Sequence, residues 1–219
     1  MRSGVKSVRA FMITWAIMAL AGLLVVLTTD KLELHAAINC CHRNWADALF
    51  SSATHLADGL VPTALALLFL FFRDLRSFMM MGLSAGLSSI IVQLLKHNVF
   101  PDHDRPFMFK EKLGAMDWVQ GIDMNHYFSF PSGHSTCAFS MCLALAVISG
   151  RMRWAVPLAV LAALLAFTRV YLSQHFTEDI LAGSLLGTLT GLAVYWWLYR
   201  SAFSRRTWLD RRILKAQNQ

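Results

Sequence analysis

Lys96, Arg105, Arg169, His134, His175 and Asp179 are the residues of this 219-residue chain best suited to chemistry, and each stands near the edge of an apolar stretch. Three cations can hold the non-bridging oxygens of a phosphate, Arg105 and Arg169 as bidentate forks and Lys96 as a point charge. A histidine can accept the phosphoryl group, and a carboxylate four residues on can orient its ring as the acid of a triad does. With a helix starting near Ser173, His175 and Asp179 share one face at i and i+4. Asp179 then accepts Nδ1–H and leaves Nε2 as the nucleophile. His134 follows Pro131-Ser132-Gly133, which reads as a helix start with Pro131 at the first helical position, where its missing N–H costs nothing. The N–H groups of Ser132 and Gly133 in that first turn make an anion site, and the glycine permits close approach. Pro106 biases Arg105 toward an extended backbone. Each motif has a plainer reading: an ordinary helix start, a satisfied His–Asp pair, a lysine stretching to lipid headgroups. Their joint occurrence favours the chemistry.

The elements that must position these residues are apolar stretches over about 11–28, 56–72, 77–95, 132–149, 154–172 and 180–199. Each is near the ~20 residues that cross a ~30 Å hydrocarbon core as a helix. A chain that is 56% hydrophobic and 15% charged is no ordinary soluble domain. The first stretch follows Arg2, Lys6 and Arg9 but outruns a signal-peptide core, so it reads as a span. Arg73, Arg76, Arg151, Arg153, Arg200, Arg205, Arg206, Arg211 and Arg212 fall in the links after the second and fourth stretches and in the C-terminal tail. Most acids fall in the other three connections. The positive-inside rule then predicts an all-α membrane protein with six transmembrane helices and both termini cytoplasmic. The net charge of +7 is therefore a topology signal, and no nucleic-acid partner is expected.

One domain is expected over 1–219, with its core at about 10–200 and a basic cytoplasmic tail over 200–219. The outer connections are 29–55, with a short interfacial helix near 44–50, the long aromatic 96–130, and a few residues around 173–177. Long loops point to the outer face as the working face. Cys137 and Cys142 read as small hydrophobes, Cys40-Cys41 lies on the outer side, and no cysteine spacing suits a metal.

Lys96…Arg105-Pro106, Pro131-Ser132-Gly133-His134 and Thr168-Arg169-x5-His175-x3-Asp179 resemble the three signature motifs of the type 2 phosphatidic acid phosphatase (PAP2) superfamily. That family includes membrane lipid phosphatases, soluble bacterial acid phosphatases and vanadium haloperoxidases. Thr168 replaces the usual serine. Eight residues separate Lys96 from Arg105 where the family has six, which puts Asn98 at the usual lysine position. Either Lys96 reaches across a bulge or Asn98 takes its place.

The resemblance implies a PAP2-like helical bundle in a bacterial cytoplasmic (inner) membrane, with its site facing the periplasm or exterior. The implied partners are the bilayer and a phosphorylated lipid: undecaprenyl diphosphate, phosphatidylglycerol phosphate, phosphatidic acid or lipid A. His175 is the implied nucleophile, Asp179 its orienting acid and His134 the proton donor and acceptor. Lys96, Arg105, Ser132, Gly133 and Arg169 are implied to hold the phosphate. Neither cofactor nor metal is expected, because fixed cations do the electrostatic work. A phosphotransferase passing the group to a lipid or sugar acceptor is the alternative for the same residues. A non-catalytic membrane protein such as a transporter is the third class, disfavoured by the two histidines and the aspartate. Six spans also argue against a haloperoxidase.

Overall fold

Apolar runs of this length leave the backbone no solvent to bond with, so it must bond to itself as helix. In the computed structural model, which describes residues 2–114 and 116–214, all regular elements among those residues are helical. They are α1 (Arg2–Thr28), α2 (Lys31–Ile38), α3 (Asn44–Ala53), α4 (Leu60–Phe72), α5 (Leu75–Asn98), α6 (Lys110–Leu113), α7 (Gly133–Ser149), α8 (Met152–Tyr171) and α9 (Thr177–Tyr195). Short 3-10 turns and one π turn join or extend them.

Each predicted stretch is helical, but the six are not equal. Four helices are long and apolar enough to cross a membrane: Gly4–Thr28, Leu75–Asn98, Met152–Tyr171 and Thr177–Arg200. The second stretch forms a helix of only 13 residues, α4, which meets the Asn44–Ala57 helix at a bend of 49°. The bend falls at Asp58-Gly59, where Gly59 takes φ 100° and Asp58 Oδ1 accepts the Leu60 N–H at 3.0 Å. A left-handed φ of that size suits glycine and breaks the helix there.

The fourth stretch, α7, is short because it is central. It packs against α1, α5, α8 and α9 and is buried on nearly every side. Small residues make this possible. Gly183, Gly187 and Gly191 recur every four residues on the face of α9 turned to α7. A Cβ at Gly183 would lie 2.5 Å from the Ser132 carbonyl, and one at Gly191 would lie 2.9 Å from Leu143. Such a stripe lets two membrane helices touch backbone to backbone. It sets the separation of α7 and α9 at the end where His134 and Asp179 sit.

Two helix starts differ from expectation. α7 begins at Gly133 with Ser132 as its N-cap, Ser132 Oγ accepting from Ser135 N–H at 3.4 Å. Pro131 therefore precedes the cap instead of opening the helix. α9 begins at Thr177, not near Ser173. Ser173 takes φ 51°, and the N–H groups of Gln174 and His175 both turn back to the Arg169 carbonyl, at 2.9 and 3.1 Å. Bonds back to α8 compete with, and displace, a first turn of α9 at these residues.

Candidate active site

The site lies at one end of the bundle, where the last turn of α5, the loop over 99–132, the start of α7, the end of α8 and the start of α9 meet. Pairing within that loop sets its shape. Arg105 N–H donates to the His126 carbonyl at 2.9 Å and Ser129 N–H to the His103 carbonyl at 2.8 Å. The loop doubles back, so Arg105 and Ser129 enter the site side by side. Arg105 is extended (φ −88°, ψ 165°), as its following proline predicts.

His175 and Asp179 are both about 1% exposed. His175 Nδ1 lies 3.3 Å from Asp179 Oδ2, so the pair forms through the loop instead of along a helix face. The same oxygen accepts from Ser129 Oγ at 2.5 Å and from the Phe176 N–H at 2.9 Å. The latter is the reach of an N3 carboxylate back to its N-cap N–H. Three donors on one oxygen fix the carboxylate, and the carboxylate fixes the ring. No hydrogen bond engages His175 Nε2 among the described residues. Burial pushes the ring down to about 3 against the opposing pull of Asp179, so His175 is neutral at physiological pH.

The three cations converge on this pair. Lys96 is 7% exposed and lies within electrostatic range of Arg105, Arg169 and Asp179. Asn98 is exposed, its amide tied to the Leu94 carbonyl at 2.9 Å. The geometry thus brings Lys96 into the cluster and leaves Asn98 outside it. Arg169 is 9% exposed and donates to Thr54 Oγ1 at 3.0 Å and Gln174 Oε1 at 3.4 Å, while its buried Nε has no partner among the described residues. Arg105 donates to the Tyr127 carbonyl at 2.8 Å and the Gln174 carbonyl at 3.2 Å. Burial lowers Arg105 from its ordinary value against the opposing pull of Asp179. Three cations around one carboxylate leave a net positive pocket that an anion would neutralise.

At the start of α7 the expectation needs correcting. The Ser132 N–H donates to the Asp179 carbonyl at 3.0 Å and is not free for an anion. The close approach of α9 permitted by the glycine stripe makes this bond. The Ser132 hydroxyl is buried with it, and the Gly133 N–H stays unengaged among the described residues. His134 stands on the first turn within electrostatic range of Arg169, His175, Asp58 and Lys96, with neither ring nitrogen hydrogen-bonded among the described residues.

Three further side chains belong to this assembly and carried no signal in the sequence. Ser129 secures Asp179. Gln174 Oε1 accepts from Asn125 at 2.8 Å, from Arg169 at 3.4 Å and from Arg105 at 3.5 Å, while its Nε2 donates to the Asp123 carbonyl at 3.1 Å. One amide thus lies between both guanidiniums. His35 on α2 meets Ser173 Oγ at 3.2 Å, and Asn39 donates to the Val170 carbonyl at 3.2 Å. Lys31 pairs with Glu178 at 2.5 Å and lies 4.1 Å over the Phe176 ring. Helix α2 is therefore a clamp on the loop that carries His175. Cys40 and Cys41, just beyond it, are exposed free thiols 3.4 Å apart.

These features define a helical bundle that gathers an anion-seeking cluster around a buried His–Asp pair at one end. The model of the PAP2 superfamily matches residues 77–203, more than half of the chain. The chain belongs to that superfamily. It is 37% identical over 102 residues to YbjG of Escherichia coli K12, provisionally named an undecaprenyl-diphosphatase (46% of this chain, 47% of that one). It is 28% identical over 96 residues to the bacitracin transport permease protein BcrC of Bacillus licheniformis (42% and 46%). The chain spans about half the length of the curated relatives it matches. Among solved structures it resembles LpxE of Aquifex aeolicus, with a TM-score of 0.65 and 25% identity over 77% of this chain and 97% of that one. It shares the fold of the first transmembrane PAP2 type phosphatidylglycerolphosphate phosphatase from Bacillus subtilis, with a TM-score of 0.58 and 22% identity over 93% and 100%.

Proposed function

We propose that this protein is a membrane phosphatase that removes a terminal phosphate from a lipid phosphate or diphosphate through a phosphohistidine. The observation that carries this reading is the buried His175–Asp179 pair beside an arginine, where among the described residues neither the His175 Nε2 nor the buried Arg169 Nε has a partner. Lys96, Arg105 and Arg169, with the Ser132 hydroxyl and the Gly133 N–H, hold the three non-bridging oxygens. His175 Nε2 attacks phosphorus in line, and the bond from phosphorus to the lipid oxygen breaks with its electron pair on that oxygen. His134 protonates this oxygen, then takes a proton from the water that attacks phosphorus and releases inorganic phosphate from His175. Asp179 stabilises the positive ring during transfer. No metal step is needed, since the cations supply the charge stabilisation.

The topology proposed with this function has six crossings, the second made by the bent α3–α4 pair, and both termini cytoplasmic. Arg73, Arg76, Arg151, Arg200 and Arg205 lie at the bundle end opposite the site, which supports an outward-facing centre by the positive-inside rule. Undecaprenyl diphosphate is the first substrate to test, because a relative carries that name, followed by phosphatidylglycerol phosphate, phosphatidic acid and lipid A. The permease name among the relatives raises transport as a second reading. A fixed His–Asp pair ringed by cations favours chemistry over conduction.

The test is phosphate release by the purified protein from that panel, with and without EDTA. Release that persists in EDTA and is lost in His175→Ala is the expected result. No release from any lipid, or release restored only by a divalent metal, overturns the reading.

A further inference from the structure

At the end of the bundle opposite His175 there is a cavity of about 480 Å³, bordered by Arg76, Arg200, Arg205, Tyr195, Tyr199 and Asp210 among others. Along α9 and its π turn, Asp179 and Arg200 are on the order of 30 Å apart at ~1.5 Å per residue. The two sites are therefore separate. The chain builds this cavity by two local devices. A π turn over Trp196–Arg200 widens the last turn of the sixth span, and a 3-10 turn over Ala202–Arg205 folds the chain back. π turns occur often at functional sites. Arg76 anchors the fold-back, donating to the Ser204 carbonyl at 2.9 Å and to both oxygens of Asp210 at 2.7 and 3.0 Å.

Charge is unequal around this cavity. Asp210 is its one acid among the described residues, and the bidentate contact with Arg76 already neutralises it. Arg200 and Arg205 have no ion pair or hydrogen bond among those residues. The hydroxyls of Tyr195 and Tyr199, whose rings stack at 5.6 Å, likewise donate to nothing there. Two guanidiniums and two phenols around one space offer an excess of donors, and among the described residues bordering it no carboxylate is left unpaired. The remaining border is Ser204, whose carbonyl accepts from Arg76, together with Val147, Gly4 and Gly150 from the ends of α7 and α1.

We propose that this cavity binds a phosphate-bearing anion, and that in the membrane the anion is the headgroup of an acidic phospholipid from the leaflet on that side. Its volume lies in the range of small-molecule pockets. Basic pockets between spans at the membrane edge take such headgroups. Trp197 and Phe203, stacked at 4.5 Å, come from the π turn and the fold-back that build the cavity without bordering it, and are aromatic residues of the kind that sit at headgroup depth. The proposal does not depend on the histidine chemistry at the other end.

The experiment uses the full chain, purified in a neutral detergent and stripped of lipid, with phosphatidylglycerol, phosphatidylcholine and inorganic phosphate as probes. Native mass spectrometry and melting temperature read binding without reference to turnover. Phosphatidylglycerol adducts and a rise in melting temperature are expected, with phosphatidylcholine giving neither. Arg200→Ala/Arg205→Ala should weaken apparent affinity at least tenfold. Tyr199→Phe, which removes one hydroxyl, should weaken it severalfold and serves if the double variant fails to fold. Arg169→Ala, which alters the histidine end, should leave these adducts intact. Displacement of the lipid by millimolar phosphate supports the site with a soluble anion as a competing source, and no displacement supports the lipid alone. Equal binding of the two lipids, or loss of adducts in Arg169→Ala but not in the cavity variants, overturns the proposal.

Discussion

Gln174→Leu removes the amide that lies between both arginines while keeping most of the side-chain volume, so its effect can be worked out contact by contact. The 2.8 Å bond from Asn125 and the 3.1 Å bond to the Asp123 carbonyl are lost, which loosens the loop. Arg169 loses its 3.4 Å contact and keeps only Thr54, whereas Arg105 loses a 3.5 Å contact and keeps the Tyr127 and Gln174 carbonyls. Charged hydrogen bonds of good geometry contribute about 1.5–3 kcal/mol, and these long ones fall below that, at about 1 kcal/mol each. The total of about 1–2 kcal/mol corresponds to roughly 5- to 30-fold in kcat/KM. Because the guanidiniums grip phosphate before and during transfer, the loss should fall mainly on KM and on inhibition by vanadate. Gln174→Glu separates positioning from charge. A carboxylate would hold both arginines better yet repel the phosphate, so this variant should be worse than the leucine. Phosphate release in detergent micelles, with melting temperature as the folding control, decides the matter. Gln174→Leu within twofold of wild type in kcat/KM would mean that this amide does not hold the two arginines.

Other predictions concern the remaining cations, the helix contact and pH. Lys96→Ala should lose roughly 10- to 150-fold in kcat/KM, the range for a charge-assisted contact, while the outward Asn98→Ala should stay within twofold; the reverse pattern would place the first motif wrongly. Gly187→Ala sets a methyl group against the Thr136 carbonyl, so overpacking should lower stability by about 1–3 kcal/mol in thermal melts and part Ser132 from Asp179; an unchanged melting temperature contradicts the tight α7–α9 contact. Burial holds His175 at about 3 and His35 at about 4, both below the usual histidine value of ~6.5. As pH falls from ~6.5 toward 4 and then 3, the unfolded chain takes up protons that the folded chain refuses. Stability present at neutral pH should therefore decline through this window and level off below it. Melting temperatures at pH 7 and 5 check this, and a rise at pH 5 would contradict it.

The parts of this architecture legible in the sequence are those set by period or by motif. Helices at all six apolar stretches follow from segment length alone, and Arg105 is extended because Pro106 excludes the alternative. Lys96 could be located at the end of its helix, but its choice over Asn98 needed the helix face: two positions apart on a helix point in different directions. Propensity sets the start of α9 several residues too early because it does not register a left-handed Ser173 or two amides returning to Arg169. Sequence leaves the Ser132 N–H free because its partner, the Asp179 carbonyl, lies 47 residues later on another helix, brought close by Gly183 and Gly187. Ser129, Gln174 and His35 left no trace for the same reason. Their types are ordinary, and only the fold-back of the 99–132 loop and the seating of α2 give them partners.

Trapping the covalent intermediate decides whether His175 is the nucleophile. Wild-type protein is mixed with a lipid radiolabelled in its terminal phosphate, quenched in alkali, which preserves phosphohistidine, and mapped by peptide. Label is expected on His175 at a level that rises before steady state, and none in His175→Ala. Steady turnover with no labelled protein, label on another residue, or phosphate release by His175→Ala at near wild-type rate would contradict it.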